Sequence, residues 1–455
     1  MNPHTPWLAG AQPPEGGTPN RSTPNSACAC GGADHVSRRT LLKTLGAAGV
    51  SAWLTPVAQW LARAEENATK GKPSRSVIVL WLAGGPSQLE TFDPHPDQKI
   101  SFGTRAIKTA LPGVQLAAGF DHLAEVMDSV SLVRSVVSKE ADHERAVYNM
   151  KTGYRPSPTV VHPSIGAVIC HELDETTQDI PRHISILPDQ WPARGGYLGA
   201  QFDAFQVQDP QGPIQDVTPL VARERMDQRM DDLSVVERSF ASGRLANLDV
   251  STTLHQATMA RALRMMGSDQ LAAFDVGRAS AAQRAAYGDT PFGRGCLAAL
   301  RLIEAGVRCV EVTLGGWDTH VNNHELQAGK VKVLDPAFAA LIRDLKDRGL
   351  FDSTVVLCGG EFGRTPKLNP LGGRDHWPYG FTVALAGGGL RAGHVLGETD
   401  PEGEKKEPVH PVRVEDLHAT IQHALGIRPG KELITPVGRP LALSDGRALQ
   451  ELLPG

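Results

Sequence analysis

The 455-residue chain has no apolar run approaching the ~20 residues of a membrane-spanning helix. Nor does it carry an excess of basic charge: 46 Lys and Arg face 50 Asp and Glu, for a net charge of −4. That balance gives no electrostatic footprint for nucleic acid, whose binding usually needs a clustered basic surface. Cysteines are few, six in all, and none has metal-ligand spacing. Cys28 and Cys30 fall near the N-terminus. Cys309 and Cys358 lie inside apolar, strand-like runs, which with Cys170 and Cys296 points to buried free thiols. There is no internal repeat and no tight ligand motif such as His-Glu-x-x-His. What is plentiful is Gly (47) and Pro (33), the material of loops, beside 41% hydrophobic residues. A large α/β core can be buried by such a chain.

The N-terminal segment carries an address. Residues 1–36 are rich in Pro, Gly and Ser and are expected to be disordered. Arg38 and Arg39 then precede a moderately apolar stretch from Leu45 to Val57, and Ala62-Arg63-Ala64 supplies a small-x-small cleavage pattern. Paired arginines ahead of a weak apolar region resemble a twin-arginine export signal. Residues 1–64 are therefore read as a disordered arm and signal peptide. The twin-arginine export machinery is the partner this implies, and the destination is periplasmic or extracellular.

From residue 65 to 455 the pattern is that of a single α/β domain. "SVIVLWLAGG" (Ser76–Gly85) is almost wholly apolar, as strands buried on both faces are. Ser131–Val137, His183–Leu187, Arg308–Leu314, Ser353–Gly360 and Phe381–Gly389 read as further strands. Pro291–Gly306 and Asp335–Leu350 have helical periodicity, the second with Pro at an opening position. Helix and strand alternate, which gives a doubly wound, mostly parallel sheet flanked by helices. Residues 218–287 are charged and helical and read as an insertion. Val414–Gly426 reads as a late packing helix carrying His418 and His423.

Open α/β sheets bind ligands beyond the carboxyl ends of their strands. Four polar clusters follow the strands here. "GGPSQLETFDPHPD" offers Ser87, Glu90, Thr91 and Asp93. "DHERAVYNMKTGYRP" offers Asp142, His143, Glu144 and Arg145. "LGGWDTHVNNHE" offers Asp318, His320, His324 and Glu325. "GGEFGRTPKLNPLGGRDHWP" offers Glu361, Arg364, Arg374, Asp375 and His376. Asp, Glu and His are ligands of divalent ions. His320 and His324 share a face if a helical turn starts at Thr319. Arg145, Arg364 and Arg374 have the fork geometry that clamps phosphate or sulfate.

The motifs "GGPSQLETFDPHP", "GWDTH", "GEFGRTP" and "GRDHWP", in this order behind a twin-arginine signal, closely resemble a large bacterial family known only as a domain of unknown function, DUF1501. That family is similar to the alkaline phosphatase/sulfatase superfamily. The resemblance implies an alkaline-phosphatase-like α/β fold, one or two divalent ions (Zn, Mn or Ca) and hydrolysis of phosphate or sulfate esters. It implies Asp318, with His320 or His324, on one metal, His376 as the late histidine that completes the site, and Asp93 or Glu90 as the acidic residue after the first strand. In such a hydrolase Arg145, Arg364 and Arg374 are the candidates to bind the anion, and His143 or Glu361 is the candidate base.

Two departures accompany it. Phe362 follows Glu361 where the superfamily has a ligand. Ala141 stands where sulfatases place a Cys or Ser nucleophile. The resulting expectation is an exported metal-dependent hydrolase of small-molecule or glycan esters, with attack by metal-bound water. The alternative is a non-catalytic relative that binds an anion, glycan or cell-envelope component. A purely structural role for the polar clusters ranks behind both.

Overall fold

The computed structural model describes residues 75–173, 178–212, 214, 217–242 and 254–454. The signal-peptide reading falls on residues outside this set. Among the described residues, a nine-stranded sheet organises the unit that runs to the C-terminus.

The strands are β1 (Ser76–Ala83), β2 (Val130–Val137), β3 (His183–Ile186), β4 (Phe205–Val207), β5 (Cys309–Gly315), β6 (Thr354–Gly359), β7 (Phe381–Gly387), β8 (Val395–Leu396) and β9 (Val412–Arg413). Their spatial order is β8-β2-β7-β6-β1-β5-β3-β4, with β9 also on β2. β1 lies parallel to both β5 and β6, and β3 parallel to β5. β7 runs antiparallel to β2 and β6. The sheet is therefore mostly parallel with one reversed strand, which apolar periodicity alone does not signal.

Helices cover both faces. Among the described residues, the helices of eight residues or more are α1 (His143–Thr152), α2 (Ile165–Glu172), α3 (Arg223–Ser242), α4 (Leu254–Met266), α5 (Pro291–Glu304), α6 (Asn323–Asp347) and α7 (Val414–Ala424). Alternate residues of β1 feed two cores. Ile78, Leu80 and Leu82 pack with Leu297 and Leu300 of α5 and Phe338 and Leu341 of α6. Val77, Val79 and Trp81 join Val147 of α1, Ile169 of α2 and Leu417 and Ile421 of α7. Each such side chain contributes roughly 1.5–3 kcal/mol by leaving water. This two-sided burial is why β1 reads as a continuous apolar run. Cys170, Cys296, Cys309 and Cys358 are buried free thiols.

α5 begins as its sequence predicts: the Thr290 hydroxyl caps Gly293 N–H, and Pro291 opens the first turn. α6 does not. It starts at Asn323, so Pro336 sits inside it rather than at its opening. The neighbouring Asp335 is buried and accepts hydrogen bonds from the backbone N–H groups of His122 and Leu123, capping the short helix Asp121–Ala124. α6 carries the chain from β5 across β1 to β6. The crevice beyond β1 thus lies at a switch point of the sheet. The predicted insertion contains α3 and α4.

Candidate metal centre

Four segments meet at the carboxyl edge beyond β1. Gly84 leaves β1 with φ +113°, and a Cβ there would lie 2.5 Å from the backbone nitrogen of Asp318. Only glycine allows the β1 and β5 exits to approach this closely. After β2, the Asp142 carboxylate accepts the Arg145 N–H and caps α1, which sets His143 as the first helical residue. After β6, Glu361 turns inward. Beyond it, Gly363–Arg364 pairs antiparallel with His376–Trp377 and returns His376 to the same edge. Gly373 lets the intervening loop close on His320, because a Cβ there would meet the His320 carbonyl at 1.9 Å.

Three imidazoles converge on one carboxylate. His320 Nε2 is 3.1 Å from Asp318 Oδ1, and His376 Nε2 is 3.4 Å from the same oxygen. His143 Nε2 is 3.5 Å from Asp318 Oδ2. Each ring is tied through its other nitrogen. His143 Nδ1–H donates to Glu361 Oε1 at 2.7 Å, and His320 Nδ1–H to Asp375 Oδ1 at 2.8 Å. His376 Nδ1–H donates to the carbonyl of Ala141 at 2.7 Å. Such outer hydrogen bonds fix the tautomer and ring direction of metal-ligating histidines.

The donor set fits a divalent ion. Ligating atoms of His143, Asp318 and His376 lie within 4.8 Å of one another. His143 Nε2 is buried without a hydrogen-bond partner. His320 Nε2 and His376 Nε2 stand 3.0 Å apart, although each ring already donates from Nδ1. Two bare lone pairs at that distance repel unless a proton or a cation lies with them.

Electrostatics prepare the ligands differently. Burial pushes the Asp318 carboxyl up, but the Arg364 guanidinium, donating at 2.6 Å, outweighs it and holds the carboxyl below its usual range. The Glu361 hydrogen bond raises His143 above an ordinary imidazole, against its burial. Burial lowers His376. Phe362 is fully buried and stacks on His376, with ring centroids 4.4 Å apart. It also tilts against His143 at 4.9 Å. Phe362 cannot ligate, yet it walls two rings that can.

Several expected roles change. Arg364 is no anion clamp. Its side chain is 0% exposed and donates to the carbonyls of Gly84, Gly85 and Arg374 as well as to Asp318. Arg374, also 0% exposed, is consumed by Glu90 and by the carbonyls of Thr365, Pro366 and Ile100. His324 lies in the first turn of α6 and faces the Ser101 carbonyl and Glu90, not Asp318. The helix starts too late for His320 and His324 to share a face. Asp93 is buried among Arg134, His95 and Thr399 and does not join the cluster. Glu361 is 1% exposed and bound to His143 and Gly84 N–H, so it orients a ring rather than serving as a free base. The Arg145 fork is occupied by Glu140. Asp375 and Phe362 are parts of the centre that no role had been assigned to. A carboxylate directly before a candidate ligand histidine was the available signal for Asp375.

The chain is similar to solved structures of esterases at low identity. A sulfatase from Pseudoalteromonas sp. matches at 13% identity and a TM-score of 0.37, over 81% of this chain and 70% of the other. Alkaline phosphatase from the Antarctic bacterium TAB5 matches at 11% identity and 0.37, over 78% and 99%. A phosphonate monoester hydrolase from Silicibacter pomeroyi matches at 12% and 0.33, over 83% and 76%. No curated protein sequence matches. The family described as "Protein of unknown function (DUF1501)" matches residues 74–453, and the chain belongs to that family.

Proposed function

We propose that the protein is an exported, metal-dependent hydrolase of phosphate or sulfate esters. One observation carries the reading: three imidazoles, each tied at Nδ1, aim Nε2 at a single carboxylate held by a buried arginine. His143, His320, His376 and Asp318 would hold the ion. Three nitrogens and one carboxylate suit Zn²⁺ or Mn²⁺ better than Ca²⁺, which prefers a cage of oxygens. A divalent ion there supplies Lewis acidity, activating water and polarising an ester oxygen. The chain's own residues supply the frame. Glu361, Asp375 and the Ala141 carbonyl hold Nδ1 of each ring and so direct Nε2 inward. Arg364 keeps Asp318 ionised. Phe362 shields two of the rings from bulk water. Export rests on the Arg38-Arg39 pattern and the apolar stretch behind it.

Purified protein reconstituted with Zn²⁺ or Mn²⁺ should cleave at least one of p-nitrophenyl phosphate, bis(p-nitrophenyl) phosphate and p-nitrophenyl sulfate. Turnover should vanish on chelation. A metal-loaded protein inert towards all of them, and towards natural phosphate and sulfate esters, would remove the hydrolase reading. One observation favours the second reading, a non-catalytic binder: position 141 offers no hydroxyl or thiol, and its carbonyl is already engaged by His376. Anion or glycan binding that survives chelation, without turnover, would support it.

A further inference from the structure

A cleft of about 640 Å³ opens beside the centre, lined on one side by the first turns of α1 and on the other by residues 190–194. Trp191 joins the two. Its ring lies near-parallel to that of His143, 13° apart in plane with centroids at 6.3 Å, and its indole also lines the cleft.

The backbone of Trp191 is pinned by two ionic groups, the buried Lys151 and the partly buried Asp189. Its N–H donates to Asp189 Oδ1 at 2.9 Å, and its carbonyl accepts from Lys151 Nζ at 2.9 Å. Lys151 in turn donates to Glu311 on β5 at 3.0 Å and lies 5.0 Å from the centroid of the Trp81 ring. Trp81 Nε1–H donates to Asp189 Oδ2. Lys151 and Glu311 are both buried. Removing such charges from water costs several kcal/mol, and apolar residues would fill the space at least as stably. What this arrangement achieves is a firmly held, partly buried tryptophan that packs against the core and lines the cleft.

We propose that the cleft binds a carbohydrate ring of the substrate, with Trp191 as its stacking platform. The inference rests on the hydrolase reading only in treating that ring as part of an ester. An indole face receives the C–H face of a pyranose. Around it, Gln190 and Arg194 donate and Asp142 and Glu144 accept, matching hydroxyls that do both. Of the other cations that line the cleft, Arg145 is engaged by Glu140 and Lys151 by Glu311. An acyl chain would leave the polar rim without partners.

The test is calorimetric titration of the full chain, held in chelator, with neutral tri- to hexasaccharides of the gluco-, manno-, xylo-, galacto- and chito- series. At least one series should bind saturably. Trp191→Ala should weaken that binding tenfold or more, and Trp191→Phe should restore most of it. Unchanged thermal melting of Trp191→Ala would confirm that its fold is intact. No binding by any series, or binding indifferent to Trp191→Ala, overturns the proposal. Since neither metal nor turnover is involved, the two readings fail separately. Ester hydrolysis without saccharide binding removes the cleft assignment alone. Saccharide binding without hydrolysis leaves it standing.

Discussion

Replacing Arg364 with Met separates a buttress from an anion clamp. The guanidinium is fully buried and donates to three carbonyls, Gly84, Gly85 and Arg374, and to Asp318. Methionine fills similar volume and donates nothing. Each buried acceptor left unsatisfied costs roughly 1–3 kcal/mol. Asp318 is 45% exposed, so water compensates much of its lost pairing. Together these give a destabilisation of about 3–9 kcal/mol, against roughly 5–15 kcal/mol for a typical domain. Urea unfolding monitored by circular dichroism measures it through the midpoint. Arg364→Lys should recover only a small part, since one ammonium cannot span the four acceptors. The reasoning is refuted if Arg364→Met unfolds within about 1 kcal/mol of the parent while its KM for an ester rises, because a residue waiting for substrate behaves that way.

Two further outcomes follow from the same geometry. Gly84→Ala should destabilise by about 2–4 kcal/mol and abolish metal retention, since a Cβ at φ +113° would press on the Asp318 backbone; a fully stable, metal-retaining variant would contradict it. His418 is buried, donates Nε2–H to the Met150 carbonyl, and has its pKa lowered by burial to about 4. Above pH 6.5 neither folded nor unfolded imidazole is charged, and stability is undiminished. As pH falls from 6.5 to 4 the unfolded chain takes the proton first, so stability drops by about 3 kcal/mol. His418→Gln should flatten that part of the profile in urea titrations across the interval, and an unchanged slope would count against the assignment.

Much of the fold was legible because two-sided burial leaves apolar runs in β1, β5 and β6, and because Thr290 and Pro291 announce α5. The start of α6 was not. Pro336 looks like an opening residue, whereas the helix had already begun at Asn323 and tolerates the proline in its interior. The reversal of β7 depends on hydrogen-bond partners far away in sequence, which no local period encodes. Within the candidate site, Asp318, His320 and His376 stand near one another because their segments leave adjacent elements at one edge. His143 was singled out as a base; its position as a further potential ligand depended on the Asp142 cap. Arg374 and His324 misled for a shared reason. Both lie against the buried Glu90, and a polar group that serves buried neighbours looks, in sequence, like one waiting for a ligand.

The central claim is that His143, Asp318, His320 and His376 form one metal centre. The most direct test is elemental analysis of the purified chain after reconstitution and exhaustive dialysis, beside Asp318→Ala and His376→Ala. The account predicts about one Zn²⁺ or Mn²⁺ per parent chain, and loss of that ion in both variants while they remain folded by circular dichroism. A parent chain that retains no ion, or an Asp318→Ala variant that retains it as well as the parent, would contradict it.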